Sequence, residues 1–299
     1  MLIDTHCHLH DLQWFTPNQQ VEFLQDAHES GVEKIVCIGT NHEDSLKARD
    51  FAATHDGVYW TYGIHPEFAG GQLDKHKELP FLFEVSKIYR PSAESDVSSP
   101  RDSSRPTGSE RSEQAARNDG PARTGREENE APGSTLGRNK LIAVGEIGLD
   151  YHYPGYDRSA QIKLFEQMLQ LAKDYGLPVS LHIREAFTDA FAVLDNFPGA
   201  RGVVHSFTGS KKELKRALER DFYIGVNGLV TYTTPPLPPL ERILLETDAP
   251  FLTPVPFRGT INKPGYVKQI AAYLATKLEV TELEIAEQTT KNARQIFKI

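Results

Sequence analysis

Six side chains that could hold a metal ion each fall within or just after a short apolar run. The first run reads Asp4-Thr5-His6-Cys7-His8. Residues two apart in a strand face the same way, so His6 and His8 point together. Paired imidazoles suit Zn, Fe, Ni and Cu, and Mn when carboxylates assist. A lone His-x-His is a weak signal, equally open to two unrelated histidines. The later runs strengthen it. Val144-Gly145-Glu146-Ile147-Gly148-Leu149-Asp150 sets a glutamate in an apolar stretch, where burial is costly unless the group is paired or metal-bound. His182 and Arg184, then His205, then Thr247-Asp248 follow in three more. His6, His8, Glu146, His182, His205 and Asp248 offer only nitrogen and oxygen. That points away from a structural Cys-rich zinc site and towards a catalytic site that can hold two ions. Cys7, between the histidines, faces the other way and reads as small hydrophobic packing.

Such a set needs a scaffold that gathers the ends of separate strands. Strand-like runs cover residues 2–5, 34–39, 58–64, 141–147, 179–183, 202–207, 223–229 and 243–247. Several are almost continuously apolar, as expected of parallel strands buried on both faces. Helical runs fall between and after them, at 19–29, 44–55, 77–89, 157–175, 186–196, 211–219, 266–277 and 282–297. In the run at 157–175 Ile162, Phe165, Leu169 and Ala172 step by three or four before Gly176 and Pro178 end it. Alternating units of this kind give a parallel α/β sheet, and eight strands close into a TIM-type (β/α)8 barrel. The six groups lie at the C-terminal strand ends, the face that carries the active site in such barrels. One unit is short. Between strands seven and eight Thr231-Tyr232-Thr233-Thr234 is followed by Pro235, Pro236, Pro238 and Pro239, which break a helix interior. A missing or truncated seventh helix predicts wetter outer faces on strands seven and eight, and self-association or a partner there.

The chain is 39% hydrophobic, and the shortfall is local. Residues 91–139 hold no aromatic residue, and Val97 and Leu136 are their only bulky aliphatics. Such a segment cannot offset its ordering entropy and reads as a disordered insertion before strand four. Setting it aside leaves about 250 residues, the usual length of one barrel. The expectation is a single hydrolase domain over 1–299, interrupted at 91–139. A net charge of −8 disfavours tight sequence-independent duplex binding, which rests on neutralising many phosphates, but is compatible with holding a few. The two cysteines, Cys7 and Cys37, make no disulfide framework and suit a reducing compartment. No apolar run reaches transmembrane length. The first residues already form a strand that delivers ligands, so a cleaved signal peptide is not expected. The expected location is cytoplasmic, with the nucleus also compatible, and no membrane partner is expected.

Asp-Thr-His-Cys-His-Leu, Tyr-Gly-Ile-His-Pro, Gly-Glu-Ile-Gly-Leu-Asp-Tyr, His-Ile-Arg, His-Ser-Phe-Thr-Gly and Leu-Glu-Thr-Asp-Ala-Pro-Phe-Leu-Thr-Pro occur in this order. Together they resemble the successive signatures of the TatD family of metal-dependent deoxyribonucleases, across the whole chain outside the insertion. The resemblance implies a two-metal hydrolase with Mg2+, Mn2+ or Zn2+. His6, His8, Glu146 and Asp248 would hold one ion, and Glu146, His182 and His205 the other, with Glu146 bridging. Asp248 would also take a proton from the attacking water. His65 and Arg184 match positions that meet substrate phosphate, Arg184 in bidentate fashion. His65 is equally suited to a capping hydrogen bond. The implied substrate is DNA, single-stranded or at 3′ ends, cleaved in the 3′–5′ direction.

The chain also departs from the family pattern. The insertion and the missing helix are two departures. A third is Thr260-Ile261-Asn262-Lys263-Pro264, where the family usually has an Arg-Asn-Glu-Pro core. Lys211-Lys212-Glu213-Leu214-Lys215-Arg216 reads as a solvated helix face, or as a guide for a strand. Tyr151, Tyr153 and Tyr156 follow strand four and could pack or stack on a base. The competing function is an amidohydrolase acting on a small amide or lactone. Many of those bridge their metals with a carbamylated lysine from strand four, where this chain has Glu146. A weakened binding scaffold is the other alternative. It would carry the burden of unpaired buried His and carboxylates without metal.

Overall fold

The structure, a computed structural model, describes residues 1–70 and 140–299. The expected helix at 77–89 and the insertion at 91–139 lie outside those residues. Eight strands appear among the described residues: β1 Leu2–Cys7, β2 Val32–Cys37, β3 Val58–Tyr62, β4 Leu141–Asp150, β5 Val179–Arg184, β6 Gly202–Val204, β7 Tyr223–Val226 and β8 Ile243–Leu245. They pair in chain order, each parallel to the next. The first and last meet where Cys7 bridges Ala249 and the Asp248 N–H donates to the His6 carbonyl at 2.8 Å. This is the expected TIM-type (β/α)8 architecture.

The helices begin where the sequence supplies caps. In α1 (Pro17–Glu29) Thr16 and Gln19 form a capping box and Pro17 opens the first turn, where its missing N–H costs nothing. Helix α2 spans His42–Thr54 and is capped by Asn41. Asp157 caps α3 (Arg158–Tyr175), and Gly176 ends it at φ 63°, a left-handed position that glycine takes without a Cβ penalty. Helix α4 spans Phe187–Asp195. Ser210 with Glu213 caps α5 (Lys211–Glu219), α6 spans Val267–Leu278, and Thr281 with Glu284 caps α7 (Glu282–Phe297).

Between β7 and β8 there are only two short 3-10 turns, Gly228–Thr231 and Leu240–Arg242, joined by the proline-rich stretch. The missing helix is therefore a real feature of the wall. The expected wetness is not. On the outward faces, Ile224 and Leu245 are each 1% exposed and Ile243 is fully buried. Leu237 and Leu240 of the extended segment pack on the core in place of a helix. Asn292 of α7 donates to the Leu240 and Ile243 carbonyls at 2.9 and 2.8 Å, pinning the same edge. An extended chain covers apolar area as well as a helix does once its own polar groups are paired.

Strand ends differ from the expectation in an instructive way. β6 and β8 stop at Val204 and Leu245, short of the chemical residues, while β4 runs on to Asp150. His205 and Asp248 thus sit on the first residues of loops. Asp248 adopts φ 59°, a left-handed backbone that Asp tolerates better than most residues.

Candidate metal centre

The expected ligands converge at the C-terminal mouth of the barrel. His6 comes from β1 and His8 lies just beyond it. His6 Nε2 lies 3.4 Å from Glu146 Oε2 and 3.6 Å from Asp248 Oδ1, and His8 Nε2 lies 3.6 Å from the same Asp248 oxygen. The other Glu146 oxygen faces a different group. Oε1 is 2.7 Å from His182 Nδ1, 3.5 Å from His205 Nε2 and 3.9 Å from His65 Nε2. The His6 and His205 rings stack at 3.6 Å between centroids.

These spacings suit metal coordination. Donors held about 2.0–2.1 Å from a tetrahedral ion lie about 3.4 Å apart, longer than a good hydrogen bond. His6 is buried, yet neither ring nitrogen has a hydrogen-bond partner among the described residues. An orphaned imidazole in the core is costly unless something else uses its lone pair. The sets His6–His8–Asp248 and His6–Glu146–His205 each bring one donor atom per residue within reach of a single ion. A third set, His65–Asp150–His182, does the same on the far side of Glu146.

The electrostatics favour a cation. Glu146 is held well below the usual carboxylate range, against its burial, by His205, His182 and His6. Asp248 is lowered against its burial by His205 and His8. Burial opposes charge on His182, yet Asp150 and Glu146 hold it up at about 9. Burial likewise opposes charge on His205, which Glu246, Glu146 and Asp248 raise to about 10. His65 has less carboxylate support, and burial together with His182 pushes it down to about 3. The carboxylates thus stay anionic and create a field that draws positive charge, which a divalent ion matches better than protons on imidazoles.

Three of the four histidines at the mouth are oriented from behind. His8 Nδ1 faces the Ile38 carbonyl at 3.1 Å, His182 Nε2 faces Asp150 Oδ2 at 3.0 Å, and His205 Nδ1 faces Glu246 Oε1 at 3.2 Å. Such contacts select the tautomer and aim the opposite nitrogen inward, where that of His182 meets Glu146. His65 makes the expected capping hydrogen bond. Its Nδ1 accepts from the Glu67 N–H and caps the 3-10 turn Pro66–Phe68, while Nε2 faces the cleft. Arg184 lines the same cleft with its guanidinium 5.2 Å from the Tyr153 ring.

The family model described as TatD related DNase matches residues 3–298. The chain belongs to the TatD family. Among relatives of this TatD-family barrel is the uncharacterized metal-dependent hydrolase YabD of Bacillus subtilis, 30% identical over the full length of both chains. The Deoxyribonuclease Tat-D of Schizosaccharomyces pombe is 33% identical over 79% of this chain and 65% of its own. The crystal structure of YJJV, a TatD homologue from Escherichia coli K12, superposes with a TM-score of 0.74 at 28% identity, covering 100% of this chain and 98% of the other.

Several residues of this TatD-family site escape a motif reading. Glu246 is wholly buried and accepts from the Ser206 N–H at 2.7 Å and from Asn227 Nδ2 at 3.4 Å, besides facing His205. Gly225 makes its room, since a Cβ there would strike the Glu246 carboxylate. Asp4, also wholly buried, accepts from Thr247 Oγ1 at 2.6 Å and Thr247 N at 2.9 Å, tying β1 to the Asp248 loop. The cue for both was available. It is the one that singles out Glu146, an acid inside an apolar strand. One layer further out His10 Nε2 meets Asp44 at 3.0 Å, and Asp44 also accepts from Thr40, joining the loops after β1 and β2.

Two readings weaken. None of the lysines at 211–215 lines the cleft. Leu214 and Ala217 bury the other face of α5, so the run is a solvated helix face. Tyr151 stacks on Tyr156 at 4.5 Å and donates to Asp189, away from the ligands, and only Tyr153 of the three lines the cleft. The departed segment has a structural task. Asn262 is buried and donates to the Thr247 carbonyl at 2.8 Å and to that of Phe251, while Lys263 pairs with Asp26 at 2.6 Å.

Proposed function

We propose that this chain is a divalent-metal-dependent deoxyribonuclease that hydrolyses phosphodiester bonds, acting on single strands or 3′ ends in the 3′–5′ direction. The observation that carries the two-ion reading is the split of Glu146. One oxygen faces His6 and the other faces His182 and His205, which is the arrangement of a bridging carboxylate. His6, His8, Glu146 and Asp248 would hold one ion, and Glu146, His182 and His205 the other, from among Mg2+, Mn2+ and Zn2+. Bound ions supply Lewis acidity, lowering the pKa of water and offsetting charge on the phosphoryl oxygens.

The protein's own groups do the rest. Asp248, anionic and fixed through its N–H to His6, accepts the proton of the attacking water at its carboxylate. Asp150 and Glu246 orient His182 and His205. Arg184 presents a planar fork to a phosphate, and neutral His65 adds a hydrogen bond from the β3 side. The cleft, about 1100 Å³, has room for linked nucleotides. The family description and the S. pombe relative's name support the choice of DNA.

The test uses purified full-length chain, stripped of metal and then given Mg2+, Mn2+ or Zn2+. End-labelled single-stranded DNA and a panel of lactones are the substrates. Metal-restored shortening of the DNA from its 3′ end is the expected result. Turnover confined to lactones would move the assignment to the small-molecule amidohydrolases.

A further inference from the structure

Two large aromatic rings stand exposed at the rim of the metal cleft. Trp14 is 49% and Phe251 43% exposed, and they meet edge to face with centroids 5.1 Å apart. Phe251 in turn meets the ring of His8 at 6.4 Å, and all three line the cleft. An aromatic track therefore runs outward from a ligand ring.

Neither ring hangs from a loose tip. The Trp14 N–H donates to the Asp11 carbonyl at 3.2 Å. The adjacent Phe15 is fully buried against Phe23, and Gln20 Nε2 holds the Leu9 carbonyl at 2.9 Å. The Phe251 N–H donates to the Asp248 carbonyl at 2.8 Å, and its own carbonyl accepts from Asn262. Apolar surface that is fixed in place yet left open at a cleft is the form a ligand contact takes.

Charge indicates which part of the ligand lies there. Beyond the ligands, the described walls carry Asp11, Glu43, Asp44, Glu67, Asp150 and Glu185 against Lys47 and Arg184, and Lys47 is already paired with Glu43 at 2.9 Å. Among the described residues, phosphates flanking the scissile one therefore meet no basic groove. A nucleotide chain entering this cleft must be held away from the ions by its neutral part, the base. Stacking on aromatic faces does this without regard to sequence.

We infer that Trp14 and Phe251 form a stacking platform for the nucleobase beside the scissile phosphate. This rests on the phosphodiester reading above. It adds that grip on the substrate is largely non-ionic and therefore changes little with salt, unlike binding through many phosphate contacts.

Trp14 reports on itself, because the only other tryptophan, Trp60, is fully buried. With metal-loaded chain, a short phosphorothioate oligothymidylate should quench the Trp14 emission, and an abasic oligomer of equal length should not. The quench should persist when salt is raised severalfold. Trp14→Ala should raise KM for the unmodified phosphodiester oligothymidylate about tenfold to a hundredfold more than for bis(p-nitrophenyl) phosphate, with Trp14→Phe restoring most of the difference. Equal binding of abasic and thymidylate oligomers, or equal losses on both substrates, would overturn the platform. Quenching without hydrolysis of either substrate would retain the platform and remove the nuclease reading, whereas absence of both quenching and hydrolysis would remove the two together.

Discussion

Glu246 touches no expected ligand position except through His205, which makes it a clean test of how the proposed second ion is held. Removing the side chain altogether is too blunt. Glu246→Ala strips the acceptor from the Ser206 N–H at 2.7 Å and from His205 Nδ1 at 3.2 Å, both deep in the barrel. Two stranded buried donors cost about 2–6 kcal/mol together, a large part of the roughly 5–15 kcal/mol that holds a domain folded. Glu246→Gln is gentler. Its amide oxygen can still accept from Ser206, and its volume still fits the space left by Gly225. It lacks the negative charge that supports His205, the first group helping to hold that imidazole at about 10 against burial. Loss of such an orienting partner typically weakens metal binding about 10- to 100-fold, or about 1.4–2.7 kcal/mol. Chelator competition followed by elemental analysis reads the affinity, and urea unfolding of the stripped protein reads the fold. The second equivalent of metal should leave at correspondingly lower chelator strength. The stripped protein should lose less than about 1 kcal/mol, as expected when most hydrogen bonds survive. Unaltered metal affinity in the Gln variant would refute the positioning role. An equal loss of stability with and without metal would show that Glu246 serves packing alone.

The remaining expectations concern ligands, seam and wall. Glu146→Gln should shed the second ion first, because His182 and His205 alone then hold it, whereas Asp248→Asn should keep most metal and lose turnover, since an amide cannot take the proton; mass spectrometry of metal content beside hydrolysis rates separates the two. Asp4→Ala should cost about 2–4 kcal/mol by leaving the Thr247 N–H and hydroxyl unpaired in the core, and a urea midpoint close to wild type would argue against that seam. Leu237→Ala should cost about 1–2 kcal/mol, less than a fully buried leucine, because the proline-rich segment is only partly covered. If thermal unfolding shows no change, that segment does not stand in for the missing helix.

Much of the site could be read from the sequence because it depends on two strong periodic signals. Alternation placed His6 and His8 on one face, and apolar runs ending in ionisable residues placed Glu146, His182, His205 and Asp248 at one mouth, where all four line the same cleft. The orienting layer was less legible. Asp150 and Glu246 act on histidines 32 and 41 residues away, and nothing local specifies such a pairing. The wall between β7 and β8 went half right. Prolines correctly excluded a helix, but composition says nothing about whether an extended segment turns inward, and Leu237 does. The aromatic rim was missed because Trp14 lies in a loop, where exposure is decided by how Phe15 and Gln20 anchor the chain.

The seam between β1 and β8 bears on how the protein is made. Asp4 and Thr247 are 243 residues apart, and Asp248 follows His6 and His8, its proposed partners at the first ion, by almost as many. At a synthesis rate of roughly 5–20 residues per second, His6 and His8 wait on the order of 10 to 50 seconds for Asp248 to emerge. Contacts of such long separation also form slowly, since the intervening chain must first be ordered. During that interval the histidines of β1 are open to any thiophilic or imidazole-seeking metal in the cell, at an edge strand without its closing neighbour. The proposed first ion can therefore find its full set of ligands only once Asp248 has emerged, and chains that stall before residue 247 carry an unpaired strand edge.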